Sequence, residues 1–270
     1  MINKCQLYGR DVMGLYKKWC AQTKLEEKRK RYWTYTERPG GRAKVRDEFV
    51  QTVRSHYGSL ELIAEDVATL GYPGASKILR EALPQKPTGR SGDLGEILAT
   101  ELVEEEVGLR VPVRRLRHKD GREMAMRGDD FIGAGYFRNQ LWLLKGEAKS
   151  SKKLSKATVA SARKALNRDN GRCTPHSLLF VANRLLESND QDDKDLGRSL
   201  RNEVGVESLP PHRIDHMLFT LSGNSPPSAL REDLALAENI RDQYVVNVHV
   251  KDHQDFIAET YIGVEDLGND

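Results

Sequence analysis

From Leu141 the chain reads Leu-Trp-Leu-Leu-Lys-Gly-Glu-Ala-Lys, apolar without interruption as far as Leu144. A run of that kind has no wet face, so it predicts an interior strand over Leu141–Lys149. Before it, Arg110–His118 alternates Val111 and Val113 with arginines, the period-two pattern of a half-buried strand. Asp120-Gly121 then suggests a hairpin, with Glu123–Ile132 as the returning strand and Gly133-Ala134-Gly135 as the next turn.

Helical spacing marks the flanks. Residues 91–107 carry Leu94, Ile97, Leu98 and Leu102 on one stripe. Asp93 followed by Glu96 fits a capping box there. Glu96, Ala99 and Val103 share an adjacent row, which would aim Glu96 toward the protein. Ser155–Asn167 reads as a helix, and Thr174-Pro175 opens another through Leu186 with an N-cap and Pro at N1. Residues 192–204 form a polar helix, and His216–Leu221 and Tyr244–Val250 are short strands. Upstream, Val12, Leu15, Tyr16 and Cys20 predict a helix within residues 1–36. Residues 45–57, 59–70 and 76–83 continue as helices. Pro84, Pro87 and Gly89 mark a linker. The expected organisation is a helical N-terminal region, 1–88, followed by an α/β domain over 89–270.

Composition narrows the class. The chain has 270 residues, 31% of them charged and 38% hydrophobic, enough for a core in a very polar protein. No apolar run could span a bilayer, and Met1-Ile2-Asn3-Lys4 lacks the apolar segment of a signal peptide. Three distant cysteines, Cys5, Cys20 and Cys173, offer neither a disulfide framework nor a zinc site. A reducing cytoplasm is the expected location. The net charge of +3 is unevenly spread. Lys and Arg outnumber Asp and Glu by 18 to 10 in residues 1–90 and by 18 to 12 in 91–184, whereas 185–270 has 7 against 18. The basic front would draw polyanions, and the acidic C-terminal part would face a basic partner or simply solvent.

The candidate chemistry lies at Gly128-Asp129-Asp130 and Glu147-Ala148-Lys149. A strand end, a turn and the next strand fit between Asp130 and Glu147, and Glu147 and Lys149 share a strand face. Two carboxylates and an ammonium are what phosphodiester hydrolysis requires. Mg²⁺, or Mn²⁺ in its place, takes one or two carboxylates plus water and phosphate. Such a metal acidifies a bound water and stabilises charge on the phosphoryl oxygens. Lysine supplies a compact point charge. Glu96 would add a third carboxylate. Lys152, Lys153 and Lys156 extend from the site and would either meet phosphates near the scissile bond or form the solvated start of a helix. The basic run Lys28-Arg29-Lys30-Arg31, backed by Tyr32, Trp33 and Tyr35, is a weaker nucleic-acid candidate. The histidines are scattered; neither His212/His216 nor His249/His253 has the His-Glu-x-x-His zinc pattern. No GxxxxGK[ST] loop is present, so no bound nucleotide is expected.

Helix with Glu, hairpin with Gly-x-Asp, then Glu-x-Lys resembles the restriction-endonuclease-like core of PD-(D/E)xK nucleases, a mixed sheet flanked by helices. In that pattern Asp130 is preferred to Asp129 because Phe131-Ile132 follows it. Gly95-Glu96, Arg127–Asp130, Gly146–Ser150 and Thr174–Phe180 further resemble the DUF1837 family, which includes the nuclease subunit of Hachiman antiphage defence systems, over roughly residues 88–250. The resemblance implies a Mg²⁺-dependent DNA endonuclease held in check by a superfamily 2-type helicase encoded alongside. Two alternatives stand beside it: a catalytically inert regulatory subunit of a helicase complex, and a nuclease acting on RNA or single strands.

Overall fold

A computed structural model describes residues 14–224 and 228–267. Its centre is a six-stranded mixed sheet. In chain order the strands are β1 (Cys20–Glu27), β2 (Lys30–Glu37), β3 (Phe131–Phe137), β4 (Gln140–Ser151), β5 (Ile214–Ser222) and β6 (Gln243–His249). Across the sheet they run β1-β2-β6-β5-β4-β3. The inner four are parallel, and the two edge strands are antiparallel to their neighbours. All nine residues of β5 are buried, as befits a parallel strand covered on both faces.

The helices are α1 (Leu15–Trp19), α2 (Gly41–Ser55), α3 (Leu60–Ala82), α4 (Pro87–Leu102), α5 (Lys156–Leu166), α6 (Pro175–Leu186), α7 (Gln191–Val206), α8 (Ser228–Leu236) and α9 (His253–Glu265). The largest core cluster joins α1, α2, α4 and α9 to one sheet face, through Trp19, Phe49, Leu94, Leu98, Phe219, Val246 and Phe256. On the other face α5 and α8 pack on Leu218 and Val245, and α6 and α7 pack on Ile132, Leu143 and Ile214. The fold is thus α/β with a largely helical N-terminal region. That region is not set apart: β2 pairs with β6, and residues on both sides of position 88 share one core.

Much of the sequence reading stands. Leu141–Lys149 lies within β4, which has a partner on each side. The N-cap at Thr174 forms as expected, and the helix expected from Ser155 forms with Ser155 as its N-cap. Four expectations are corrected. First, the helix expected over residues 1–36 is limited among the described residues to Leu15–Trp19; residues 20–37 form a hairpin, while Val12 lies outside the described residues. The Tyr-Trp-Thr-Tyr segment of β2 puts Tyr32 on one face and Trp33 and Tyr35 on the other, where strand geometry buries all three. Second, Arg110–His118 is not a strand: only Arg110 bridges to Ala134, and residues 115–118 form a 3₁₀ turn. The Asp120-Gly121 turn closes locally on Met124 and returns no strand before Phe131. Pro112 lacks a donor for a ladder, and the arginines of this segment are used in loop contacts. Third, Gly133-Ala134-Gly135 lies within β3; the turn is Arg138-Asn139, both at positive φ. A Cβ at Gly133 would crowd Leu144 and Leu109, so the glycine marks close packing. Fourth, the capping box is absent. The helix starts six residues before Asp93, with Pro87 in its first turn. Asp93 is buried mid-helix and accepts from Tyr57 and Lys119.

Candidate active site

The site forms where β3 ends and β4 continues with only β5 beside it. Phe131 pairs with Gly146, and the Asp130 N–H still donates to the Gly146 carbonyl at 3.2 Å. Antiparallel register therefore sets Asp130 opposite Glu147. One residue further, Ala148 N–H has no strand partner and donates to Asp130 Oδ2 at 2.8 Å. Two positions past Glu147, Lys149 projects from the same face and its Nζ lies 2.5 Å from Glu147 Oε1. Glu96 arrives on α4, which presses onto this end of β4. A Cβ on Gly95 would sit 3.3 Å from Ser150 Cβ, and Ser91 Oγ donates to Ser150 Oγ at 2.9 Å.

The charges act on one another. Burial, then the Asp130 charge, pushes Glu96 well above the usual carboxylate range. Burial raises Asp130 too, against the pull of Lys149 and the Ala148 N–H. Burial, then Asp130, pushes Glu147 up to about 7, with Lys149 opposing. Burial would lower Lys149, but Asp130, Glu147 and Glu96 together outweigh it and raise the ammonium. Three carboxyls thus compete for too little positive charge, and one divalent cation would relieve that competition. Among the described residues no three acidic, His or Cys side chains form a ready-made metal cage. Mg²⁺ needs only one or two carboxylates and keeps several waters.

Asp129 has a different place from Asp130. It is 3% exposed; its Oδ2 accepts from the Thr174 N–H at 2.7 Å and its Oδ1 lies 3.6 Å from Lys145 Nζ. Gly128, at φ 98°, makes the bend just before the two aspartates, and a Cβ there would collide with Ser177 Oγ.

A family model named HamA matches residues 14–262 of the chain. The chain belongs to the HamA family. HamA is the family of the Hachiman nuclease subunit, so this chain is a component of Hachiman antiphage defence. A search of curated proteins found no match.

Within this HamA site, Lys152 and Lys153 are exposed just beyond β4, and exposed Lys156 pairs with Glu232 at 2.9 Å. The run Lys28–Arg31 is not brought to the site. It forms the β1–β2 turn and the start of β2, and β6 and β5 separate β2 from β4, roughly 14 Å across the sheet. There Arg29 and Arg31 pair with Asp242, and Lys30 donates to the Ala235 carbonyl. His216 and His253 serve the scaffold: His216 Nε2 meets the Gly171 carbonyl at 2.8 Å, and His253 Nε2 meets Ser150 Oγ at 3.0 Å. No helix among the described residues is long and apolar enough to cross a membrane.

The sequence reading missed Arg115 and Arg168. Arg115 is buried and donates to the carbonyls of Arg127 and Asp129, fixing the loop that delivers Asp130. Its position in an apparent strand concealed it.

The raised Glu147 has a consequence for the metal-free HamA chain. A carboxyl whose folded pKa rises from 4.5 to about 7 favours folding fully below 4.5, and that contribution is lost as pH rises through 7. Glu147→Gln removes the dependence. In EDTA, the variant is expected to match wild type in Tm at pH 5 and to exceed it at pH 8, by a stability difference of about 1–3 kcal/mol.

Proposed function

We propose that this chain is the metal-dependent nuclease effector of its defence system, cutting DNA through the Asp130–Glu147–Lys149 site. The observation that supports it best is the meeting of Asp130, Glu147, Lys149 and Glu96 near the C-terminal end of β4, with all three carboxyls raised by burial. Asp130, Glu147 and Glu96 would hold Mg²⁺ or Mn²⁺. When bound, the ion supplies Lewis acidity and a water of lowered pKa. Lys149 would orient the attacking water or balance charge developing on the phosphoryl oxygens. Glu96, approaching from α4, would add a third oxygen ligand or hold a water.

In the cytoplasm the chain would work with a superfamily 2-type helicase encoded alongside, which holds it in check until DNA is sensed. The chain would bind no nucleotide itself. Its acidic C-terminal part, 7 Lys and Arg against 18 Asp and Glu over 185–270, suits a basic protein surface better than DNA. A catalytically inert subunit is the less favoured reading, because nothing in an inert scaffold requires three carboxylates to be held together at a cost in charge repulsion.

The reading is tested by incubating the purified chain, alone and with the helicase, with plasmid, linear duplex, single-stranded DNA and RNA. Mg²⁺-dependent loss of DNA, abolished by EDTA, is the expected result. Absence of cleavage on every substrate with the activated complex would favour the inert reading, and cleavage of RNA alone would reassign the substrate.

A further inference from the structure

Just after α5 the chain makes a turn, Arg168–Gly171, of unusual construction. Asp169, Asn170 and Gly171 are consecutive left-handed residues, at φ 53°, 54° and 76°. Two of them are not glycine, so the turn is held against a conformational cost. What holds it is buried beneath. Lys145, 1% exposed, donates from Nζ to the carbonyls of Arg168 and Arg172 at 2.9 and 2.8 Å. Arg241, also 1% exposed, donates to the carbonyls of Gly171 and Asn170 at 2.7 and 3.2 Å. His216 joins at the Gly171 carbonyl, and burial keeps its imidazole neutral. A Cβ on Gly171 would lie 2.7 Å from the Arg241 guanidinium. Lys145 belongs to β4, two residues before Glu147 on the same face, so the turn is tied directly to the strand that carries the site.

This scaffold exposes Arg168, Asp169 and Asn170, and Arg168 is its cation on the side of the site. Arg168 is exposed, and its guanidinium makes no hydrogen bond or ion pair with the described residues. Its charge nevertheless acts on both Asp130 and Glu147. The other cations near these carboxylates are occupied: Lys149 by Glu147, and Arg115 by two carbonyls. An unengaged, planar guanidinium on a rigid turn beside a carboxylate cluster suits an anion that accepts two parallel hydrogen bonds, such as a phosphate.

We propose that Arg168 is a substrate-binding residue of this site, gripping a backbone phosphate of the nucleic acid beside the scissile bond. The proposal rests on the nuclease reading and adds the residue that fixes the strand against the carboxylates. Because the turn is anchored through carbonyls, replacing the exposed side chain leaves the scaffold intact.

The test uses the full chain with a fluorescent DNA duplex in Ca²⁺, which occupies oxygen sites while cleavage is suppressed, over a salt series. Arg168→Ala is expected to weaken binding about tenfold and to lower the salt slope by about one, the loss of one phosphate contact. Arg168→Lys should recover the slope but only part of the affinity. Lys164→Ala, which removes an exposed charge from α5, is the control and should change binding less than twofold. In Mg²⁺, Arg168→Ala should raise KM by a similar factor with a smaller effect on kcat. Equal binding and equal KM for wild type and Arg168→Ala would overturn the proposal while wild-type cleavage kept the nuclease reading. Loss in Arg168→Ala no greater than in Lys164→Ala would also overturn it. Loss of cleavage in every sample, wild type included, would instead count against the nuclease reading.

Discussion

Lys149→Ala is expected to lower DNA cleavage by about a thousandfold while leaving the fold and DNA binding in place. The side chain is 29% exposed and supports no core contact, so its loss leaves no cavity. What it removes is, among the described residues, the only side-chain cation bonded to Glu147, 2.5 Å from Oε1. One preorganised group aimed at developing charge contributes about 10²–10³ in rate. Loss of Lys149 also removes the charge that opposes the rise of Glu147, so Glu147 retains its proton to higher pH and holds a metal less well. Lys149→Arg should not restore the rate, since a planar fork cannot occupy the space of a compact ammonium. Single-turnover cleavage in Mg²⁺ checks this, with Tm and duplex binding measured on the same samples. A variant that cleaves within tenfold of wild type would remove Lys149 from the chemistry.

The second large effect separates two neighbouring aspartates. Asp129→Ala is expected to destabilise the fold by about 3–5 kcal/mol, because Lys145 would remain as a buried charge without its carboxylate. Both groups are at most 3% exposed, with Nζ 3.6 Å from Oδ1. Burial holds the Asp129 carboxyl above its ordinary range despite Lys145, so the pair itself adds little net stability; breaking it is what costs. The variant also strips the Thr174 N–H of its acceptor at the start of α6. Asp130→Asn should behave in the opposite way. It relieves repulsion with Glu147 and Glu96, so stability at pH 8 should hold or rise while cleavage is lost. Urea unfolding of both variants, with cleavage assays, checks the contrast. A stable Asp129→Ala protein with wild-type activity would show that Lys145 needs no counter-charge.

The sequence revealed the elements whose signals are local. The apolar run of β4, the helix beginning near Ser155 and the Thr174-Pro175 start of α6 each depend on a few adjacent residues, and each forms as expected. Glu147 and Lys149 were legible for the same reason, because strand periodicity alone puts them on one face. Asp130 could be preferred to Asp129 only by family pattern. The physical distinction lies in Ser177, Thr174 and Lys145, all distant in sequence. Glu96 was found with the wrong local explanation: its apparent capping partner, Asp93, is a buried acceptor for Tyr57 and Lys119. The β1–β2 hairpin was missed because Leu15 and Tyr16 do begin a helix, one that stops after five residues. Arg168 carried no local signal at all. Its placement depends on donors from β4, β5 and the segment before β6, which only the folded chain brings under one turn.

The most direct measurement is Mn²⁺ binding by electron paramagnetic resonance on the full chain with a DNA duplex, comparing wild type with the Asp130→Asn, Glu147→Gln double variant. Saturable binding in wild type, displaced by Mg²⁺ and lost in a double variant that keeps its Tm, is the result expected if these carboxylates hold the catalytic ion. Equal binding by both proteins, or none by wild type, would contradict it.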